Sequence, residues 1–212
     1  AGFSGNPIEY LAGALVATIL LFIILGIGCL CGSISFCGFS TNVNIKSILL
    51  WILAFGIQGA TEEIMCRGFL LNSLKNRISI PLAILISSTA FVFPHLSSLF
   101  EADFVYAVIG IINLYLVSIT FSILVLWRSN IWIACGLHSA WNFILYVIMG
   151  LSLSGSESVS KGVVLFSVQD TSILNGADYG IEASVITTVV LGMLLFVMVK
   201  GWKGRIGKDG IS

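Results

Sequence analysis

Six long apolar stretches constrain this 212-residue chain more than any other feature of its sequence. An α-helix needs about 20 mostly apolar residues to cross the hydrocarbon core of a bilayer. The stretches that come close to or exceed this length run over residues 8–30, 45–74, 80–99, 104–127, 131–149 and 181–199. The sequence therefore predicts an all-α integral membrane protein, a bundle of about six transmembrane helices.

The shortage of charged residues supports the same fold class. Only 9% of the residues are charged, whereas a soluble domain carries about 25%, so the chain has too little charge to cover a water-facing surface. The formal net charge is zero, which argues against nucleic acid as a partner. The partner that this composition predicts is the lipid bilayer.

The connections between the apolar stretches divide the chain. Residues 1–45 hold the first helix and a polar loop, residues 46–200 form the main membrane domain, and residues 201–212 are a basic tail. The loop over residues 150–180 is rich in Ser and Gly, and loops of that length are usually functional or mobile. Within it, "GVVLFSVQ" is apolar enough for a short strand or a re-entrant piece. Because the chain begins with Ala, we expect a processed or truncated product that further spans can precede.

Basic residues predict the orientation, because cytoplasmic loops are enriched in Lys and Arg. Under six-span alternation, seven basic residues fall on one side: Lys75, Arg77, Arg128, Lys200, Lys203, Arg205 and Lys208. The opposite side carries two basic and six acidic residues: Lys46, Lys161, Glu101, Asp103, Glu157, Asp170, Asp178 and Glu182. We therefore expect a plasma-membrane protein with its basic side and its C-terminus in the cytoplasm.

A few polar side chains remain at membrane depth, where an ionisable group costs about 2.5–3.5 kcal/mol on insertion scales and marks function by default. These side chains are Glu62, Glu63, Arg67, His95, His138 and the amide Asn142. A spacing of four residues places two side chains on one helix face. That spacing relates Glu63 to Arg67 and His138 to Asn142. If the helices bundle, one Glu, two His and one Asn converge on a single polar pocket.

Such a pocket has a definite chemistry. A desolvated carboxylate beside an imidazole acts as a general base on water, and a second imidazole with an amide supplies donors for a developing oxyanion. Together these groups make a hydrolase for a carbonyl substrate, most simply a peptide bond. Two His and one Glu also suit a zinc ion with one open position. The helical HExxH signature of zinc enzymes is missing, and the five cysteines form no CxxC pair.

Other interpretations fit the same residues. Glu63 with Arg67 is most simply a buried ion pair, since intramembrane charges usually pair. A buried His is often only a packing residue, and His138 with Asn142 can serve as an interhelical hydrogen bond. Two Glu on one span also occur on ion or proton paths, although the chain shows no paired halves with matching Gly or Pro breaks. From the residues alone, hydrolase and transporter stay close.

Three short motifs favour the hydrolase: "EEIMCR" over 62–67, "FVFPH" over 91–95 and "HSAWN" over 138–142. In this order they match the patterns EExxxR, FxxxH and HxxxN. Through these motifs the chain resembles the CAAX protease and bacteriocin-processing family of intramembrane endopeptidases, also known as the Abi family. "HSAWNFILYVIMGLSLSG" and "NGADYGIEAS" are similar to its bacterial branch. The resemblance covers residues 46–200 and implies a catalytic domain with a polar active-site pocket inside the membrane.

The resemblance implies a role for each residue. Glu62 would activate the attacking water with His95 as partner base, while His138 and Asn142 would stabilise the oxyanion. The structural or supporting residues would be Glu63 and Arg67. Although the family is often labelled metalloprotease, we expect no metal, because the ligand set is thin. A zinc ion is the alternative, and its ligands would be Glu62, His95 and His138.

The substrate that the resemblance implies is a peptide or a membrane-protein tail reached from the bilayer. The bacterial branch is linked to bacteriocin maturation, self-immunity and peptide-pheromone processing. A non-catalytic immunity or binding protein on the same scaffold and a small ion-coupled transporter are the alternative functions.

Three expectations concern residues around the site. We expect Phe91 to be a packing residue. We expect Glu182 to be a solvated carboxylate near the start of the last helix, where the helix dipole favours it, and the alternative is that Glu182 lines a substrate entrance. Counting along the spans places Glu62 near mid-membrane and the two histidines toward opposite faces. If the spans simply alternate in direction, the site residues therefore lie at different depths in the membrane, unless Pro94 breaks the third span.

Overall fold

The structure, a computed structural model, describes residues 6–156, 162–169 and 171–209, with side chains up to residue 202. The described part contains six long helices: α1 Pro7–Leu30, α2 Ile45–Leu74, α3 Ile80–Glu101, α4 Phe104–Arg128, α5 Trp132–Ile148 and α6 Val185–Asp209. Five of them, all except α5, are long and apolar enough to cross a membrane. The predicted helical membrane bundle is confirmed.

Helix α5 is shorter than the span that the sequence predicts over residues 131–149. It ends at Ile148, and Gly150 follows with a left-handed φ of 61°. At about 1.5 Å per residue, a helix of this length falls short of the roughly 30 Å of a hydrocarbon core. Helix α5 is instead packed between α1 and α2, and its central residues are almost fully buried, among them Ala134, Cys135 and Leu137.

Two helices are interrupted where the motifs lie. In α2 the backbone widens into a π-helical segment over Ile64–Leu71, directly after the paired glutamates. In α3 it tightens into a 3-10 turn over Phe93–His95, and the predicted break at Pro94 is thus present. Proline removes a backbone donor and clashes with the preceding turn. Both irregularities change the direction of side chains along an otherwise regular helix.

A two-stranded antiparallel sheet joins the two long connections. Strand β1, Ile34–Phe39, pairs with β2, Val164–Val168, with Ile34 opposite Val168 and a register shift between Phe36 and Gly38. The strand predicted in "GVVLFSVQ" is present as β2. Its partner lies in a segment that the sequence predicts as a polar loop, so this part of the prediction is wrong.

The charged helix ends agree with an alternating path through the membrane. Arg128, at the end of α4, forms an ion pair with Glu9 in the first turn of α1. The start of α1 and the end of α4 therefore lie at the same face of the bundle. Three residues of the charge prediction, Glu157, Lys161 and Asp170, lie outside the described residues, as do the side chains of Lys203, Arg205 and Lys208. The described backbone of α6 continues through residues 201–209 of the predicted tail.

Helices α1 and α5 approach each other so closely that only glycine fits at the crossing. A Cβ atom added to Gly13 would lie 2.0 Å from the carbonyl oxygen of Ile133. A Cβ atom added to Gly136 would lie 1.9 Å from the carbonyl oxygen of Tyr10. Small residues that let helix backbones meet are a recurrent means of packing in membranes. The crossing fixes α5, which carries one of the three motifs.

We expect Gly13→Ala to destabilise the protein by about 1–3 kcal/mol, the usual range for overpacking. The matched control is Gly26→Ala in the same helix, where an added Cβ meets nothing within 4 Å. The measurement is the thermal unfolding midpoint of each variant in detergent micelles. Equal midpoints for the two variants would show that the crossing tolerates a methyl group and would contradict the packing described here.

Candidate active site

The predicted site residues come from three helices that meet in the interior. Helix α2 carries Glu62, Glu63 and Arg67 on consecutive turns at the start of its π-helical segment. Helix α3 carries His95 at its 3-10 turn, and α5 carries the histidine–asparagine pair. Single π-helical turns in α-helices are frequent at functional sites. The sequence gives no sign of this segment, which has ordinary helix-forming residues.

Glu63 and Arg67 form an ion pair that is fully shielded from the surroundings. Both side chains have 0% exposure, and Arg67 Nη1 donates to Glu63 Oε1 at 2.8 Å. Arg67 Nη2 donates to the carbonyl and hydroxyl oxygens of Ser118 on α4, at 3.1 and 2.5 Å. The guanidinium also lies over the rings of Phe91 and Phe121, 4.5 and 5.3 Å from their centroids. A buried charge is tolerated only with partners of this kind.

His138 is oriented by the same carboxylate. Its Nδ1 lies 3.0 Å from Glu63 Oε1. Because Glu63 is paired with a guanidinium it is ionised and can only accept, so Nδ1 carries the proton and donates it. The other ring nitrogen, Nε2, then faces Glu62, whose Oε2 is 3.9 Å away. Glu62 retains 30% side-chain exposure, so the two neighbouring glutamates have opposite environments.

Gln58 connects two of the predicted residues and was missed at the sequence level. Its Nε2 donates to Glu62 Oε1 at 2.8 Å, and its Oε1 accepts from Asn142 Nδ2 at 2.9 Å. The available signal was its position four residues before Glu62, on the same helix face. The amide thus holds the Glu62 carboxylate and leaves Asn142 with a second N–H that this bond does not use.

The ring of His95 packs against the ring of Phe91, which the His138 ring on α5 also contacts. Its ring is 5.2 Å from the Phe91 ring, and the His138 ring is 5.7 Å from the same ring. His95 Nδ1 lies 3.0 Å from the Phe91 carbonyl oxygen, so Nδ1 is the donor and Nε2 keeps its lone pair. Phe91 is 4% exposed and is a packing residue, in agreement with the sequence.

A single cavity of about 480 Å³ is lined by Glu62, His95, His138 and Asn142. Glu63 and Arg67 lie behind its wall and do not line it. The two histidines that simple alternation of the spans places toward opposite faces therefore line one cavity with Glu62. The 3-10 turn at Pro94 interrupts α3 directly before His95.

Glu182 also lines this cavity, which corrects the prediction of a solvated carboxylate at the start of the last helix. It belongs to a 3-10 turn, Ile181–Ala183, that precedes α6. Its carboxylate accepts from Trp141 Nε1 at 3.0 Å and from the Ser154 backbone N–H at 2.7 Å. Burial, with the nearby Glu182 charge, raises the pKa of Tyr179 to about 12, so this lining phenol stays protonated at neutral pH.

The side chains present do not suit a metal ion. Among the described residues, no group of three His, Cys, Asp or Glu side chains is placed to hold one. A catalytic zinc ion needs three protein ligands, and His138 Nε2 and Glu62 Oε2, which are 3.9 Å apart, supply two. We therefore derive no step through a metal, and the absence of a cofactor stays a prediction.

These features define a class: a helical membrane protein with a glutamate–histidine site enclosed by its helices. Residues 44–144, just under half of the chain, match the family model described as type II CAAX prenyl endopeptidase Rce1-like. This segment contains the three motifs, and over it the chain is similar to this family of CAAX endopeptidases, which indicates an intramembrane protease. The search of curated proteins and that of solved structures find no match for this chain.

We expect Arg67→Ala to destabilise the protein by about 3–5 kcal/mol, because removing one partner leaves a buried, uncompensated charge. The control is Arg128→Ala, whose pair with Glu9 is 48% exposed at the arginine and should contribute little. Unfolding in detergent micelles, followed by tryptophan fluorescence, measures both. The double variant Glu63→Gln with Arg67→Met should recover part of the lost unfolding free energy. If Arg67→Ala and Arg128→Ala lower the unfolding free energy equally, the buried ion pair does not stabilise the protein as described.

Proposed function

We propose that Glu62 is the catalytic carboxylate of a peptide-bond hydrolase, with His95 as its partner and with His138 and Asn142 as oxyanion donors. The observation that carries this proposal is the shared cavity, in which a half-exposed Glu62 faces the Nε2 atom of a histidine held from behind by Glu63. The positions of Glu62, His95, His138 and Asn142 in this cavity suit a different chemical role for each side chain.

In the proposed reaction, Glu62 takes a proton from a water molecule as its oxygen attacks the carbonyl carbon of the scissile peptide. Gln58 donates to Oε1 of the carboxylate, which leaves Oε2 facing the cavity. His95 presents a lone pair on Nε2, because its Nδ1 donates to a backbone carbonyl. When the C–N bond breaks, the proton held by Glu62 passes to the leaving amine.

The oxyanion of the tetrahedral intermediate requires donors on the opposite side. His138 in its imidazolium form donates from Nε2, and two carboxylates stabilise that charge, one on each side of the ring. Asn142 supplies the N–H that is not bound to Gln58. Preorganised donors in a water-poor site are the usual largest contribution to such catalysis.

The substrate in this proposal is a peptide or a membrane-protein segment that reaches the cavity from the bilayer. Bacteriocin or pheromone processing, or self-immunity, is the proposed biological role, and it is supported by the motif resemblance alone. The excess of basic residues at one face supports a plasma-membrane location with a cytoplasmic C-terminus.

Replacement of the proposed base gives the most direct test. We expect Glu62→Gln to lower peptide cleavage by about 100- to 10,000-fold, the usual contribution of a general base, while folding is retained because Gln keeps the shape of the side chain. Cleavage is measured with quenched-fluorescence peptides and protein reconstituted in lipid vesicles. Glu101→Gln, at an exposed position outside the cavity, should cleave at the rate of the unmodified protein.

The result also separates the alternative functions. Cleavage at an unchanged rate by Glu62→Gln would exclude Glu62 as the base. A transporter predicts ion flux that depends on Glu62 and no cleavage by the unmodified protein. A non-catalytic immunity protein predicts protection of producing cells that persists in both Glu62→Ala and His95→Ala.

The metal-free proposal has its own test. We expect the cleavage rate to be unchanged within about twofold after treatment with EDTA or 1,10-phenanthroline, because the residues lining the cavity form no three-ligand group of the kind that catalytic zinc needs. The zinc content of the purified protein is measured in parallel. A rate that disappears with the chelator and returns with added zinc would overturn the metal-free mechanism.

A further inference from the structure

Glu182 is a half-buried carboxylate of the cavity wall whose charge has no cationic partner within the described part of the chain. Its donors are neutral: Trp141 Nε1 at 3.0 Å to Oε1, and the backbone N–H and hydroxyl of Ser154 at 2.7 and 3.1 Å to Oε2. None of the ion pairs among the described residues includes it. A carboxylate offers about four acceptor positions, so Oε1, with one donor, keeps room for another.

The rest of the cavity wall does not compensate this charge. The described lining contains the carboxylates of Glu62 and Glu182, the two imidazoles, and no Lys or Arg. The guanidinium of Arg67 lies behind the wall, and its charge is matched by Glu63. Buried charges are normally paired or strongly hydrogen-bonded. An imidazolium at His138 would face Glu62 and Glu63, so Glu182 keeps a negative charge that a bound cation would balance.

We propose that Glu182 is a specificity-determining residue that binds a cationic group of the substrate, either a Lys or Arg side chain or a free amino group close to the scissile bond. This inference rests on the proposed function. The inference assigns basic peptides as the substrate class. The proposed catalytic residues by themselves do not select this class.

The position of Glu182 sets where that cation lies. Trp141, which binds Glu182, is the residue next to the proposed oxyanion donor Asn142 on α5. An extended chain advances about 3.3–3.6 Å per residue, and the cavity is small, so a cation on Glu182 belongs to a residue within about two positions of the scissile bond.

The same charge distribution selects against acidic substrates. A free carboxylate drawn into the cavity meets two carboxylates and no Lys or Arg among the described lining residues. Juxtaposed like charges are an effective means of rejecting a wrong partner. Cleavage is therefore expected next to a basic residue and away from an acidic side chain.

The test uses the full chain reconstituted in phosphatidylcholine vesicles and octapeptides that differ only by Lys, norleucine or Glu at one position, each with a free or acetylated amino terminus. We expect a kcat/KM at least about tenfold higher for Lys than for norleucine at one position, as for a close charge pair, and the lowest value for Glu. Equal rates for Lys and norleucine that both fall on acetylation assign the cation to the amino terminus instead of the side chain.

Glu182→Gln should remove the Lys preference, so that the ratio of kcat/KM for the Lys peptide to kcat/KM for the norleucine peptide falls about tenfold, to near one. The glutamine oxygen can still accept from Trp141 or Ser154, but it carries no charge. If Glu182 only clamped the loop, the variant would lower cleavage of both peptides equally, and that result would overturn the inference. Glu101→Gln, which removes an exposed charge elsewhere, should keep the full preference.

Binding separates this inference from the proposed function. Fluorescence anisotropy of dye-labelled Lys and norleucine peptides is measured with Glu62→Gln protein, with and without Glu182→Gln. A Lys preference in binding that needs Glu182, without cleavage by the unmodified protein, supports the cation site and refutes the protease. Binding or cleavage that changes neither with Lys nor with acetylation of the amino terminus refutes the cation site whether or not the protease proposal holds.

Discussion

The guanidinium of Arg67 is the charge on which the arrangement of the helices depends. It is fully enclosed at membrane depth, and its partners come from three helices: Glu63 on α2, Phe91 on α3, and Ser118 and Phe121 on α4. Since an unpaired buried charge is strongly destabilising, these helices are held in one relative placement. Glu63 also accepts a hydrogen bond from His138 and so holds α5 in the same arrangement. The relative positions of the site residues thus depend on the partners of one cation, Arg67.

The fold was largely predictable because membrane helices have a strong sequence signal. Length and apolarity located five long helices close to their observed bounds, and their ends lie near residues that favour them, such as Asn6 and Asn44, whose side chains cap α1 and α2. The same signal located α5 within one residue at each end. It did not show that α5 is enclosed, because hydropathy does not distinguish a helix that faces lipid from one surrounded by other helices. It also missed β1, which finds its partner more than 120 residues later in the chain, beyond the reach of any local pattern.

The site was predictable in its members and less so in its geometry. Ionisable residues at membrane depth are few, so elimination led to the histidines and the paired glutamates. Elimination did not show which glutamate faces the cavity, because that depends on the turn at which α2 widens into a π-helix. Gln58 was overlooked since a neutral amide does not stand out by charge. Glu182 was assigned to solvent because its neighbours in space, Trp141 and Ser154, are distant in the sequence.

The contrast between Glu62 and Glu63 explains how one dipeptide serves two purposes. Successive residues of a helix point in different directions, so one carboxylate reaches the sealed ion pair while the next keeps 30% exposure and faces the cavity. Carboxylates in unlike environments take on unlike chemical roles. Glu63 is neutralised by Arg67 and fixes the tautomer of His138, whereas the polar neighbours of Glu62 in the described part of the chain are the Gln58 amide and the His138 imidazole. Arg67 therefore neutralises Glu63 and leaves Glu62 facing the cavity, and Arg67 itself does not line the cavity.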